Sequence, residues 1–94
     1  MIVVVSPQAR DDLKEAFDYI HKDNPPAANQ VLAHLVEMFG FLASGAVTGR
    51  EVLLQDGRRV NTWPVPPYRI YYRKNVDRLE VIRVYHQARR PIEK

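Results

Sequence analysis

Residues 58–86 read RRVNTWPVPPYRIYYRKNVDRLEVIRVYH, and the fold turns on this stretch. It holds three runs rich in β-branched and aromatic residues: Arg58 to Trp63, Tyr68 to Lys74 and Leu79 to His86. A bend at Pro64, Pro66 and Pro67 separates the first two, and a tight turn at Asn75-Val76-Asp77 separates the last two. Joints this short favour an antiparallel meander. Strand side chains alternate between faces. Tyr68, Ile70 and Tyr72 therefore share one face of the middle run, and Arg69, Tyr71 and Arg73 share the other. On the last run Ile82 and Val84 suit a core, with Arg83 and Tyr85 turned away; on the first, Val60 suits a core, with Arg59, Asn61 and Trp63 turned away. One face of the sheet is thus expected to carry Arg59, Trp63, Arg69, Tyr71, Arg73, Arg83 and Tyr85.

Something must cover the other face, and the preceding residues supply it. Ile2 to Val5 is a β-branched run, a short strand that should join the sheet. Ser6-Pro7 then reads as an N-cap followed by proline in the first helical position. Ala9, Leu13, Ala16, Phe17 and Ile20 form one face of a helix. The segment Lys22 to Pro26 ends that helix and starts another, with Asn24 able to cap. Ala28, Val31, Leu32, Leu35, Met38, Phe39 and Leu42 form the second apolar stripe, closed by Ser44-Gly45. Two amphipathic helices with a short joint make an αα-hairpin. Residues 44–57 read as a loop holding a short strand at Glu51 to Leu54. The fold expected is α+β: an N-terminal strand and a two-helix hairpin on one face of a curled antiparallel sheet, in the order β-α-α-β-β-β, as a single domain over residues 1–94.

Composition bounds the chemistry. There is no cysteine among the 94 residues, so disulfides, zinc-thiolate sites and thiol catalysis are excluded. No apolar run approaches the roughly 18 residues of a membrane span. The opening residues lack a basic n-region and a cleavage site, so the cytoplasm is the expected location and no membrane partner is expected. The net charge of +3 hides an asymmetry. Residues 1–57 hold four Lys/Arg against eight Asp/Glu, whereas residues 58–94 hold ten against three. A basic half interleaved with aromatics points to an anionic partner, nucleic acid or an acidic protein segment. Arginine with aromatic rings suits phosphates and stacked bases, and it equally suits a protein interface. Covering the edges of a small core is the plainer role for tyrosines, and it is the role read for Tyr68 and Tyr72.

His86 is the one histidine of the basic half, at a strand end before Gln87-Ala88-Arg89-Arg90. It reads equally as a general base and as a hydrogen-bonded histidine at the core margin. His21 and His34 read as solvated. No metal cluster, nucleophile triad or phosphate-binding glycine loop is present, so no metal and no cofactor is expected. One enzymatic route survives: RNA cleaved by its own 2′-OH needs only orientation, proton transfer and cationic stabilisation.

Four segments carry a family resemblance. They are Ser6 to Leu13 with Tyr19-Ile20, Asn24 to Ala28, Pro67 to Arg73, and Ile82 to Arg90 with its His86-x-x-Arg89 pattern. In this order, across nearly the whole chain, they resemble the RelE/ParE superfamily of toxins from type II toxin–antitoxin systems, within it the ParE-like branch. The resemblance implies a small bacterial toxin neutralised by a cognate antitoxin, in a hetero-oligomer with it. RelE-like members cut mRNA on the ribosome, and ParE-like members poison DNA gyrase. Arg69 matches the middle-strand arginine that nuclease members place near the scissile phosphate. Arg69 and His86 are thus the catalytic candidates if the chain is a nuclease. Arg59, Trp63, Arg73, Arg83, Tyr85, Arg89 and Arg90 are the candidates for binding a target or nucleic acid. The lysine-rich strand of RelE nucleases has no match, because the first run reads Arg58-Arg59-Val60-Asn61. That favours gyrase as the target, with the ribosome and mRNA as the alternative. A harmless module binding an antitoxin or DNA is the third reading. The antitoxin is expected along the hairpin groove, at Phe17, Ile20, Leu35, Phe39 and Leu42, or at the sheet edge.

Overall fold

Ser6 starts the architecture. In the computed structural model, which describes residues 1–94, its side chain accepts a hydrogen bond from the Ala9 amide at 3.1 Å and so caps the first helix. Strand β1 (Ile2–Val5) precedes it and helix α1 (Pro7–His21) follows. Asn24 repeats the device, its Oδ1 accepting from the Ala27 amide at 3.2 Å at the start of α2 (Pro25–Ala43). Four strands complete the chain: β2 (Arg50–Leu53), β3 (Arg59–Val65), β4 (Tyr68–Lys74) and β5 (Arg78–His86). The strand expected within residues 51–54 is β2, and the three runs of the basic half are β3 to β5. The Pro66–Pro67 peptide joining β3 to β4 is cis.

The sheet order is β1-β5-β4-β3-β2. β2 to β5 form the antiparallel meander, but β1 lies parallel to β5, with Ile2 opposite Arg78 and Val5 opposite Val81. The sheet is therefore mixed rather than wholly antiparallel. The helical hairpin carries the chain from β1 at one edge of the sheet to β2 at the other, and the meander brings β5 back beside β1 in the same direction. Beyond Val5 the outer edge of β5 stays covered. The Ser6 amide donates to the Val81 carbonyl at 3.0 Å, and the Ser6 hydroxyl donates to that of Ile82 at 2.9 Å. Asp12 then takes the Val84 amide at 3.0 Å. Backbone groups that would otherwise invite another strand are thereby satisfied.

Apolar side chains gather on both faces of the sheet. The larger cluster lies under the helices: Ala9, Ala16, Leu35, Phe39 and Leu42 meet Val65, Tyr68, Ile70, Tyr72, Leu79, Val81 and Val84. The smaller joins Val52, Leu54, Val60, Tyr71 and Ile82, with Tyr85 and Ile92 against it. The two clusters correct the sequence reading on β5 and along β3. Ile82 belongs to the far side, because a β-bulge opposite Tyr71/Tyr72 adds a residue to β5 and inverts the alternation there. On β3 the whole alternation is opposite to that expected: Val60 belongs to the far side, and Arg59, Asn61 and Trp63 to the helical side. Trp63 pairs directly with Ile70, and directly opposed residues share a face. The tail after β5 is ordered across the far side. The Gln55 amide donates to the Ile92 carbonyl and the Lys94 amide to that of Leu53, both at 2.8 Å. Ile92 thereby closes the small core.

On α1 the buried stripe is Ala9, Asp12 and Ala16. The expected stripe faces inward, with Leu13, Phe17 and Ile20 half-buried beside Ala9 and Ala16, and Asp12 is buried in addition, where it meets its partners on β5. Leu35, Phe39 and Leu42 are at most 3% exposed, so three of the five residues expected to meet an antitoxin are core. They face the sheet because the hairpin has no other surface on which to bury them. Phe17 and Ile20 stay half-buried.

Candidate functional site: an arginine face and a tyrosine cleft

The strand register decides which candidates can act together. Arg69 lies opposite Tyr85, whereas His86 lies opposite Tyr68. Arg69 and Tyr85 are on the far face; His86 and Tyr68 are on the helical face. The two catalytic candidates are therefore separated by the thickness of the sheet and do not form one site.

The far face assembles part of the expected binding set. Tyr85 is flanked by two guanidinium groups, Arg83 at 5.2 Å and Arg89 at 5.4 Å from its ring centre. Its hydroxyl donates to the Arg90 carbonyl. Arg69, half-buried, meets Thr62 Oγ1 at 3.3 Å and has no carboxylate partner within the chain. Arg69, Tyr71, Tyr85 and Arg89 line a groove of 360 Å³, whose other wall is the tail. The tail is held there by Glu93, which accepts the Tyr71 hydroxyl at 2.7 Å and lies 3.6 Å from Arg50. Burial, then the bond to Glu93, raise the Tyr71 phenol well above the ordinary tyrosine value.

Other candidates are already engaged or lie elsewhere. Arg83 is clamped by Asp12, Nε to Oδ2 at 2.7 Å and Nη2 to Oδ1 at 2.9 Å, and those bonds raise its pKa further. Arg73 pairs with Glu80 at 3.1 Å and Arg59 with Glu51 at 3.4 Å, both on the surface. Trp63 sits edge-on to Phe41 at 6.4 Å on the helical side, apart from the arginine groove. Arg90 is exposed.

A second concavity, of 310 Å³, opens on the helical side between α1 and the end of β5. Asp12, Glu15, Ala16 and Tyr19 line it from α1, and Tyr68, Val84, His86 and Arg89 line it from the sheet and tail. The His86 ring stands edge-on to Tyr68 at 5.2 Å, and its Nδ1 accepts from the Ala88 amide at 3.0 Å. The core-margin reading of His86 thus describes its surroundings. Burial, then the neighbouring Tyr19, raise the Tyr68 phenol above its ordinary pKa and keep it protonated. Sequence reasoning missed Asp12, Glu15 and Tyr19 here. The available signal was Ala9-x-x-Asp12-x-x-x-Ala16, two small residues bracketing an acid on one helical stripe. Small residues let a helix approach a sheet closely, and an acid between them then needs a cation.

Comparison with known proteins supplies the family. Residues 3–91 match the ParE toxin of type II toxin–antitoxin systems, parDE. Among solved structures, a chromosomal ParDE TA system from P. aeruginosa is similar, with a TM-score of 0.74. The identity is 19%, over 92% of this chain and 95% of that one, which establishes a shared fold. No curated protein sequence matches the chain. No helix is long and apolar enough to cross a membrane. With nearly its whole length matched, the chain belongs to the ParE toxin family of type II toxin–antitoxin systems.

Proposed function

We propose that this chain acts in the cytoplasm as a non-enzymatic toxin that blocks or poisons DNA gyrase and is held inactive in a hetero-oligomer with its antitoxin. The observation that carries this reading is the separation of Arg69 from His86 by the sheet. A nuclease using both would need them around one phosphate. What the far face offers instead is an arginine-aromatic surface, the composition of a protein-docking site. Arg69 brings a half-buried positive charge without a carboxylate partner, and Tyr85 and Arg89 bring broad, rigid contact area.

Induction of the chain alone in a bacterium, with labelled precursors, tests this. DNA synthesis is expected to fall before protein synthesis, and purified gyrase is expected to accumulate cleavage complexes in its presence. Protein synthesis falling first, with messages cut on the ribosome, would replace this reading by the nuclease one.

A further inference from the structure

The cleft between α1 and the end of β5 presents hydrogen-bonding groups that the chain itself leaves free. Tyr68 is 7% exposed, yet its hydroxyl makes no hydrogen bond within the chain and opens on the cleft. No buried side-chain oxygen of the chain lacks a partner, so this hydroxyl is open to solvent through the cleft and free to meet a ligand. His86 adds a second donor. Its Nδ1 is occupied as an acceptor from the Ala88 amide, so the proton of the neutral ring sits on Nε2. The walls are otherwise apolar: the rings of Tyr19 and Tyr68, with Val84 and the small Ala16 at the back.

The charges around the cleft cancel in pairs. Asp12 is saturated by two bonds from Arg83 and one from the Val84 amide. Glu15 faces Arg89 at 3.5 Å, and both are more than half exposed, so this pair parts at little cost. A charged ligand tip would gain from one member of each pair and be repelled by the other. A neutral tip able both to accept and to donate finds Tyr68 and His86 as donors and Glu15 as acceptor. Such a tip on a flat apolar body is a phenol. At 310 Å³ the cleft lies at the small end of ligand pockets, the size for one anchoring side chain. A shallow groove along α1, lined by Asp11, Lys14, Asp18 and Lys22, shares Glu15 and Tyr19 with it and provides a path for the flanking chain.

We propose that this cleft is the anchor site for a tyrosine side chain presented by the antitoxin. The phenol stacks between Tyr19 and Tyr68, and its oxygen receives from Tyr68 and His86 while its proton goes to Glu15. Only the source of the tyrosine rests on the antitoxin reading; the site itself does not depend on the toxin's target.

The test uses the full chain and two probes, N-acetyl-tyrosinamide and N-acetyl-phenylalaninamide, followed by NMR. Saturable shifts are expected at the methyls of Ala16 and Val84 and at the His86 ring. The tyrosine amide should bind about fivefold more tightly, the worth of one net hydrogen bond. Tyr68→Phe keeps the ring and the core, and should reduce that preference to below about twofold. Ala16→Leu, which fills the back of the cleft, should abolish both shifts. Absence of saturable shifts, equal binding of the two amides, or a preference untouched by Tyr68→Phe would overturn the site. Amide shifts that persist in the toxin–antitoxin complex would overturn the antitoxin as occupant, without bearing on gyrase.

Discussion

Asp12 on α1 and Arg83 on β5 form a bidentate pair, with contacts of 2.7 and 2.9 Å, that bolts the first helix to the last strand. Asp12 also takes the amide of Val84, so one carboxylate satisfies three donors at the edge of the sheet. Its side chain is 7% exposed and that of Arg83 22%. Removing either partner leaves the other charge poorly solvated. Asp12→Ala should destabilise the fold by about 3 kcal/mol, read as a lowered denaturant midpoint. Replacing the pair with apolar residues of similar volume should recover much of that loss.

Tyr71 gives stability a dependence on alkaline pH. Its phenol is raised in the folded state from an ordinary value of 10.0, first by burial and then by Glu93. Below that ordinary value both folded and unfolded chains hold the proton, and the contribution of Tyr71 is fully present. Above it the unfolded chain releases the proton first, so stability falls as pH rises toward the folded value. Tyr71→Phe should lower stability at neutral pH by about 1 kcal/mol through the lost bond to Glu93. It should also lessen the decline between about pH 9 and pH 11. Denaturant unfolding at several pH values reads both effects, and an equally steep decline in the variant would contradict this account.

Two glycines should respond oppositely to alanine. Gly40 is exposed within α2, with nothing within 4 Å of an added Cβ. Gly40→Ala should stabilise by about 1 kcal/mol. Gly49 is buried where β2 begins; its amide donates to the Tyr72 hydroxyl at 2.7 Å and its carbonyl accepts from Asn61 at 2.9 Å. A methyl group there would run into the backbone carbonyl of Thr62. Gly49→Ala should destabilise by at least about 2 kcal/mol. Thermal melts of the two variants provide the comparison.

The hairpin residues should separate stability from partner binding. Leu35→Ala leaves a cavity under α2 and should destabilise by about 3 kcal/mol whether or not an antitoxin is present. Ile20→Ser alters a half-buried residue near the end of α1, and should cost the fold no more than about 1 kcal/mol while weakening antitoxin affinity. Parallel melts and binding titrations distinguish them. Equal loss of stability in the two variants would mean that Ile20 belongs to the core.

The elements were legible in the sequence because their boundaries are chemical: Ser6-Pro7, Asn24-Pro25 and the proline bend announce themselves. The facing of the middle strand was legible too, since Tyr68, Ile70 and Tyr72 do lie under the helices. Alternation failed where it met a bulge. Nothing local marks Ile82 as the extra residue, because the bulge is a property of its pairing with β4. The far-side core was hidden for a related reason. Its lid is Ile92, one apolar residue in a tail that reads as basic, and its partners come from β2 to β5, brought together only by the sheet. The same limit applied at the candidate site. The sequence supplied Arg69 and His86, but only the register of Tyr68 with His86 and Arg69 with Tyr85 puts them back to back.

The parallel pairing of β1 with β5 bears on when the folded surfaces can form. Ser6 and Ile82 are 76 positions apart, and the edge they close is among the last parts of the sheet to be synthesised. At roughly 5–20 residues per second, β1 waits about 4–15 s for its partner. During that interval α1 has no β5 to rest on, Asp12 has no arginine, and neither the arginine groove nor the tyrosine cleft exists. Both surfaces therefore form only after β5 and the residues that follow it have been made.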